Sequence, residues 1–173
     1  MVSVVNPHVE GSRPSRPFNS PMECGLRMLF VLEASSGRPA DLQRLISYDY
    51  LLVHSGDVAG GPESLHPSVP YRGSELLVKR EVLSAGLNQM FARELIAKTF
   101  DISGILYVAT ELTSAFIALL KTRYANDLRQ RSTWVIDKFG GMPDAELDSF
   151  MSSNVGRWGA EFERLAAIKD LEL

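Results

Sequence analysis

The run from Gly86 to Thr110, GLNQMFARELIAKTFDISGILYVAT, sets the end of a helix directly against two short strand-forming segments, and it constrains the fold more than any other part of the chain. Leu95 to Phe100 and Ile105 to Ala109 are rich in β-branched and aromatic residues, and Asp101-Ile102-Ser103-Gly104 between them is a good turn sequence. The expectation is a β-hairpin. Two strands alone are marginal in water, so this hairpin has to pack against the helices that precede it.

Those helices can be read from their spacing. Ser20-Pro21-Met22-Glu23 is a helix start, with Ser20 as cap, Pro21 at the first helical position and Glu23 completing a capping box. Met22, Leu26, Leu29 and Phe30 then share one face until Ser35-Ser36-Gly37. A second helix is expected from about Pro39 to His54, with Leu42, Leu45, Ile46, Tyr50 and Val53 on one side. Ser55 to Gly73 is a Gly- and Pro-rich connection, longer than helix connections usually are. A third helix is expected from Ser74 to about Ala92, presenting Leu76, Leu83, Leu87 and Met90, with Gly86 inside it at a cost of about 1 kcal/mol relative to Ala.

Three helices followed at once by a hairpin is the element order of a winged helix, a helix-turn-helix variant. The alternative is a generic helical bundle with an incidental hairpin. The reading is therefore a mainly α fold with a small β-hairpin, a winged helix followed by C-terminal helices. Residues 1–19, with Pro7, Gly11, Pro14 and Pro17, read as a flexible N-terminal arm. Residues 20–112 form the winged-helix domain with its 55–73 loop, and 113–173 a C-terminal helical extension. In that extension one long helix is expected from Thr110 to Phe139, bent or straight. A short helix follows after Pro143, and a last one carries Trp158, Phe162 and Leu165.

Composition narrows the function. The 173 residues carry 18 Lys and Arg against 21 Asp and Glu, a formal charge of −3, whereas a free-standing duplex binder usually has a basic surplus. From Arg72 to Lys98 the basic residues Arg72, Lys79, Arg80, Arg93 and Lys98 barely outnumber Glu75, Glu81 and Glu94. That is a weak electrostatic footprint, and Lys79, Arg80 and Lys98 are the candidate DNA contacts. The lone Cys24 excludes an internal disulfide and suits a reducing compartment; with no membrane span or leader expected, the protein is expected to be soluble and cytoplasmic.

No catalytic set emerges. His54, Asp57 and His66 alone have metal-ligand flavour, but zinc wants a fourth ligand and a tighter spacing, so a small hydrolase or metal enzyme built on them is a weak third option. Cys24 lies inside a helix, where burial would raise its pKa, and Gly60-Gly61-Pro62 lacks the Lys and Ser/Thr of a phosphate loop. No cofactor is expected. The surplus apolar residues Leu77, Val78 and Val82 of the third helix, together with Tyr50, His54, Asp57, His66, Tyr71 and Arg72 in and beside the loop, are the candidate partner-binding residues.

The run from Phe18-Asn19-Ser20-Pro21 through Asp41-Leu42-Gln43-Arg44-Leu45, Asp49-Tyr50-Leu51-Leu52-Val53-His54-Ser55-Gly56-Asp57, Leu65-His66-Pro67 and Glu75-Leu76-Leu77-Val78-Lys79-Arg80 resembles the small middle component of bacterial ABC-three-component systems, which include the Lamassu type of anti-phage defence. The likeness spans roughly Phe18 to Met151. It implies a non-catalytic adaptor between an SMC/RecN-like ABC ATPase and an effector such as a nuclease or another toxic subunit, with DNA contact possible only within the complex and no membrane. The alternative from the residues is a dimeric winged-helix transcription regulator that binds DNA.

Overall fold

The computed structural model describes residues 19–67, 72–154 and 157–158, and their side chains outside 72–78. The elements follow in the order α1 (Pro21–Ala34), β1 (Ala40–Asp41), α2 (Leu42–Val53), a 3₁₀ turn (Ser55–Asp57), α3 (Arg72–Phe91), β2 (Ile96–Asp101), β3 (Gly104–Ala109), α4 (Glu111–Ala118) and α5 (Arg123–Phe139). Residues 144–154 are also helical. The fold is mainly helical with one small antiparallel sheet.

Helix α1 starts where its sequence dictates. The Ser20 hydroxyl accepts from the Glu23 amide at 3.3 Å, and the Ser20 amide donates to the Glu23 carboxylate at 3.0 Å. The helix is more central than a one-sided stripe implies: Cys24, Met28, Leu29, Val31 and Leu32 are all buried, with α3 packed on one side and α5 on another. Met22, by contrast, is exposed. The crossing with α3 is unusually close at Gly25 and Gly86, where a Cβ on Gly25 would lie 2.6 Å from the Gly86 carbonyl oxygen. Gly86 is thus where two backbones touch, which accounts for a residue that weakens its own helix.

The sheet has one strand more than the expected hairpin. Its order is β1-β3-β2, all antiparallel, with Ala40 opposite Tyr107 and Lys98 opposite Tyr107 on the other side. Strand β1 occupies residues expected to be helical. Helix α2 begins at Leu42, since the Asp41 carboxylate accepts from the Arg44 amide at 2.7 Å and caps the helix there. Helix α3 begins earlier than Ser74, at Arg72.

The long helix expected from Thr110 to Phe139 is two helices. Thr122 caps α5 by accepting from the Ala125 amide at 3.1 Å, and the Arg129 guanidinium donates to the carbonyls of Ile117 and Leu120 at 2.5 and 2.9 Å. The break is held by a side chain that ties the Ile117 carbonyl in the last turn of α4 to the Leu120 carbonyl just past it. Helix α5 then buries Leu128, Val135, Ile136 and Phe139 in the same apolar core as α1 and α2. Trp158 is buried and stacks on Tyr50 with ring centroids 5.3 Å apart. The N-terminal arm and Phe162 and Leu165 of the expected last helix lie outside the described residues.

Candidate functional site

The middle of the helical layer holds a buried polar centre. Arg27 on α1 donates from Nε and Nη2 to the two carboxylate oxygens of Asp49 on α2, at 2.7 and 3.0 Å. Lys79 on α3 brings Nζ to 3.3 Å from Asp49 Oδ2, and all three side chains are buried. Burial alone would raise the Asp49 pKa, but the two cations overcome it and hold the carboxyl well below its usual range. Burial likewise works against the charge of Arg27, and Asp49 keeps that charge in place. The Cys24 thiol, 3.2 Å from Arg27 Nη2, is pushed up to about 11 by burial, with the Asp49 charge adding to the effect. It is not a thiolate nucleophile near neutrality.

The segment after α2 folds back onto that helix. The amides of Leu65 and His66 both donate to the Val53 carbonyl, at 3.0 and 3.1 Å, and the Ser55 hydroxyl donates to the Glu63 carbonyl at 3.0 Å. Arg131 on α5 donates to the same Glu63 carbonyl from Nε and Nη2, at 3.0 and 2.8 Å. Gly61 passes so near Ser55 that a side chain there would run into the Ser55 carbonyl. Residues 55–67 are therefore a packed appendage of α2 and α5.

This closure decides where the candidate partner residues lie. Tyr50 and His54 are buried, and the Tyr50 hydroxyl donates to Asp57 at 2.9 Å. His66 is buried with Nε2 2.8 Å from the Tyr124 hydroxyl, and burial lowers its pKa to about 4. Val82 is half-buried against the core. Tyr71 and the side chains of Arg72, Leu77 and Val78 lie outside the described residues. Of the candidate DNA contacts, Lys79 is buried at Asp49, exposed Arg80 sits 3.4 Å from the Gln43 side-chain oxygen, and Lys98 donates to Asn88 at 2.9 Å. His54, Asp57 and His66 do not come together as ligands. Among the described residues no group of three or more His, Cys, Asp or Glu side chains could hold a metal.

The exposed apolar surface lies elsewhere. The hairpin carries Phe100 at 75% exposure, Ile102 fully exposed and Ile105 at 46%, with Phe91 at the end of α3 exposed on the same side as Lys98. A second apolar feature is a groove of about 270 Å³ between α1 and the α4–α5 corner, lined by Leu26, Phe30, Leu120, Tyr124 and Leu128. Sequence reasoning passed over both the hairpin end and the ionic centre. The ionic centre did leave a signal, since Arg27 and Asp49 are single charges inside the apolar runs CGLRMLFVL and ISYDYLLV.

A family model described as ABC-three component (ABC-3C) system Middle Component 2 matches residues 17–161. The chain belongs to this family. No curated protein and no solved structure matches it. A middle component of a three-component system works with partner proteins, so exposed apolar groups on this one are places where a partner is to be sought. No helix among the described residues of the middle component is long and apolar enough to cross a membrane.

Proposed function

We propose that this middle component is a non-catalytic, cytoplasmic winged-helix adaptor that links an SMC/RecN-like ABC ATPase to the effector of a Lamassu-like anti-phage defence complex. The observation that carries the reading is the exposed apolar end of the hairpin, Phe100, Ile102 and Ile105, on a chain from a family of multi-subunit components. A soluble chain working alone gains nothing from such a surface, whereas a subunit buries it. The polar side chains that would suggest chemistry support the same view: Arg27, Asp49 and Lys79 are committed to one another, and Cys24 is buried beside them. The order of three helices and a hairpin, with β1 added to the sheet, is in keeping with the winged helix.

Co-expression with an ATPase and an effector of an ABC-three-component system, followed by size-exclusion chromatography, tests the reading. A stable assembly of the three is expected. A middle component that elutes alone under all nucleotide conditions would count against the adaptor role. The regulator alternative has less support, because Lys79 is buried and the hairpin tip is apolar. It requires that Arg80→Ala and Lys98→Ala together weaken duplex binding and flatten its salt dependence.

A further inference from the structure

Among the described residues the outer edge of β2 from Lys98 to Phe100 is an unprotected strand edge. Asp101 and Gly104 close a two-residue loop, so the peptide groups of Asp101, Thr99 and Ala97 face β3, and those of Phe100 and Lys98 face outward, while Ile96 is buried. Among the described residues β2 has a neighbour on one side only. Proteins usually guard such an edge with proline, a bulge or projecting charge. Strand β2 has no proline, and its register with β3 runs unbroken over six residue pairs. Its two charged residues both make contacts within the chain. Asp101 accepts from the Ser103 amide and hydroxyl at 2.7 and 2.6 Å, which holds the turn. Lys98 lies over the Phe91 ring at 4.5 Å and donates to Asn88.

The face of this edge is equally specific. Ile96, Lys98 and Phe100 alternate onto one side of the sheet with Ile105, Tyr107 and Ala109 opposite them. The exposed end of that side is Phe100 beside Ile105, and one step inward lies the ammonium of Lys98. Self-pairing suits it poorly. Two copies of β2 overlapped along their length about a two-fold axis place Lys98 opposite Lys98, and like charges directly opposite destabilise a ladder.

We propose that the outer edge of β2 takes up an extended strand from a partner subunit, with an acidic side chain opposite Lys98 and an apolar side chain over Phe100 and Ile105. This rests on the adaptor reading and gives it an address. Main-chain hydrogen bonds from residues 98 and 100 hold the strand, and the Lys98 and Phe100 side chains select its sequence.

Residue-resolved hydrogen exchange on the full chain, free and in complex with the ATPase and effector subunits, tests the proposal. Amides of Lys98 and Phe100 are expected to slow in the complex, while those of Ala97, Thr99 and Asp101, already bonded to β3, change little. Phe100→Pro, which removes an outward N–H, is expected to weaken assembly by about tenfold or more without moving the melting temperature of the free chain, and Lys98→Glu is expected to weaken assembly by as much. Unchanged exchange at 98 and 100 in an assembled complex would overturn the strand proposal and leave the adaptor role standing. So would a concentration-dependent homodimer that Phe100→Pro abolishes. Failure of the wild-type chain to assemble sinks both.

Discussion

Helices α1 and α3 cross with Gly25 and Gly86 in backbone contact: a Cβ on Gly86 would lie 2.7 Å from the Gly25 amide nitrogen and would collide with the Pro21 carbonyl. Helix propensity alone favours Gly86→Ala by about 1 kcal/mol. Overpacking a rigid backbone crossing costs about 1–3 kcal/mol and acts in the opposite direction. Gly86→Ala is therefore expected to lower the urea midpoint. Gly141→Ala, where a Cβ meets nothing within 4 Å, serves as the control and is expected to leave it unchanged. A more stable Gly86→Ala protein would show that the helices can part at no cost.

Asp49 is a single buried anion between two buried cations. Asp49→Asn removes the carboxylate that Arg27 and Lys79 both face, and breaking a buried pair in this way costs about 3–5 kcal/mol. Replacing all three together, Arg27→Met with Asp49→Leu and Lys79→Met, is expected to recover most of that loss, because these three charges are then gone from the core. Thermal denaturation of the single and triple variants decides the matter. An Asp49→Asn protein within about 1 kcal/mol of wild type would contradict the burial described above.

His66 makes stability depend on pH. Its pKa is lowered by burial from 6.5 to about 4, so between those values the unfolded chain binds a proton that the native protein does not. The contribution is fully present above pH 6.5 and is lost as the pH falls through 4. Asp49, held low by Arg27 and Lys79, adds a further loss below its ordinary value of 3.8. Urea midpoints are expected to decline from pH 7 to pH 4, and more steeply in wild type than in His66→Gln. Equal slopes for the two proteins would remove His66 from the account.

Cys24 is buried, and its thiol is pushed up to about 11 by that burial. Iodoacetamide at pH 8 is expected to leave the native chain unmodified and to label it at one site once urea unfolds it, as read by intact mass. Rapid labelling of folded protein would place the thiol at the surface. Stability is also expected to decline as the pH rises from 9 toward 11, where the unfolded thiol ionises first.

Local chemistry alone was enough for several features. Ser20 and Glu23 announced the start of α1, and Asp101 through Gly104 announced the hairpin turn, because a cap or a tight turn needs only neighbours in the chain. The three-helix and hairpin order and the family likeness were legible for the same reason, as patterns along the chain. Strand β1 was not, since two residues become a strand only when Tyr107 and Leu106 are brought beside them. The break at Thr122 was hidden because it depends on Arg129 reaching back to α4.

The candidate surface divides along the same line. Residues Tyr50, His54 and His66 have the ring chemistry of a docking site, and the sequence determines that much; the closure of 55–67 onto α2 turned those rings inward. Phe100, Ile102 and Ile105 looked like ordinary strand hydrophobes, yet the short sheet runs out past the helical core and leaves them in water. Composition and spacing fix which side chains are apolar, charged or able to cap. Whether a given side chain is covered depends on how far each element extends over its neighbours, and long-range packing alone decides that.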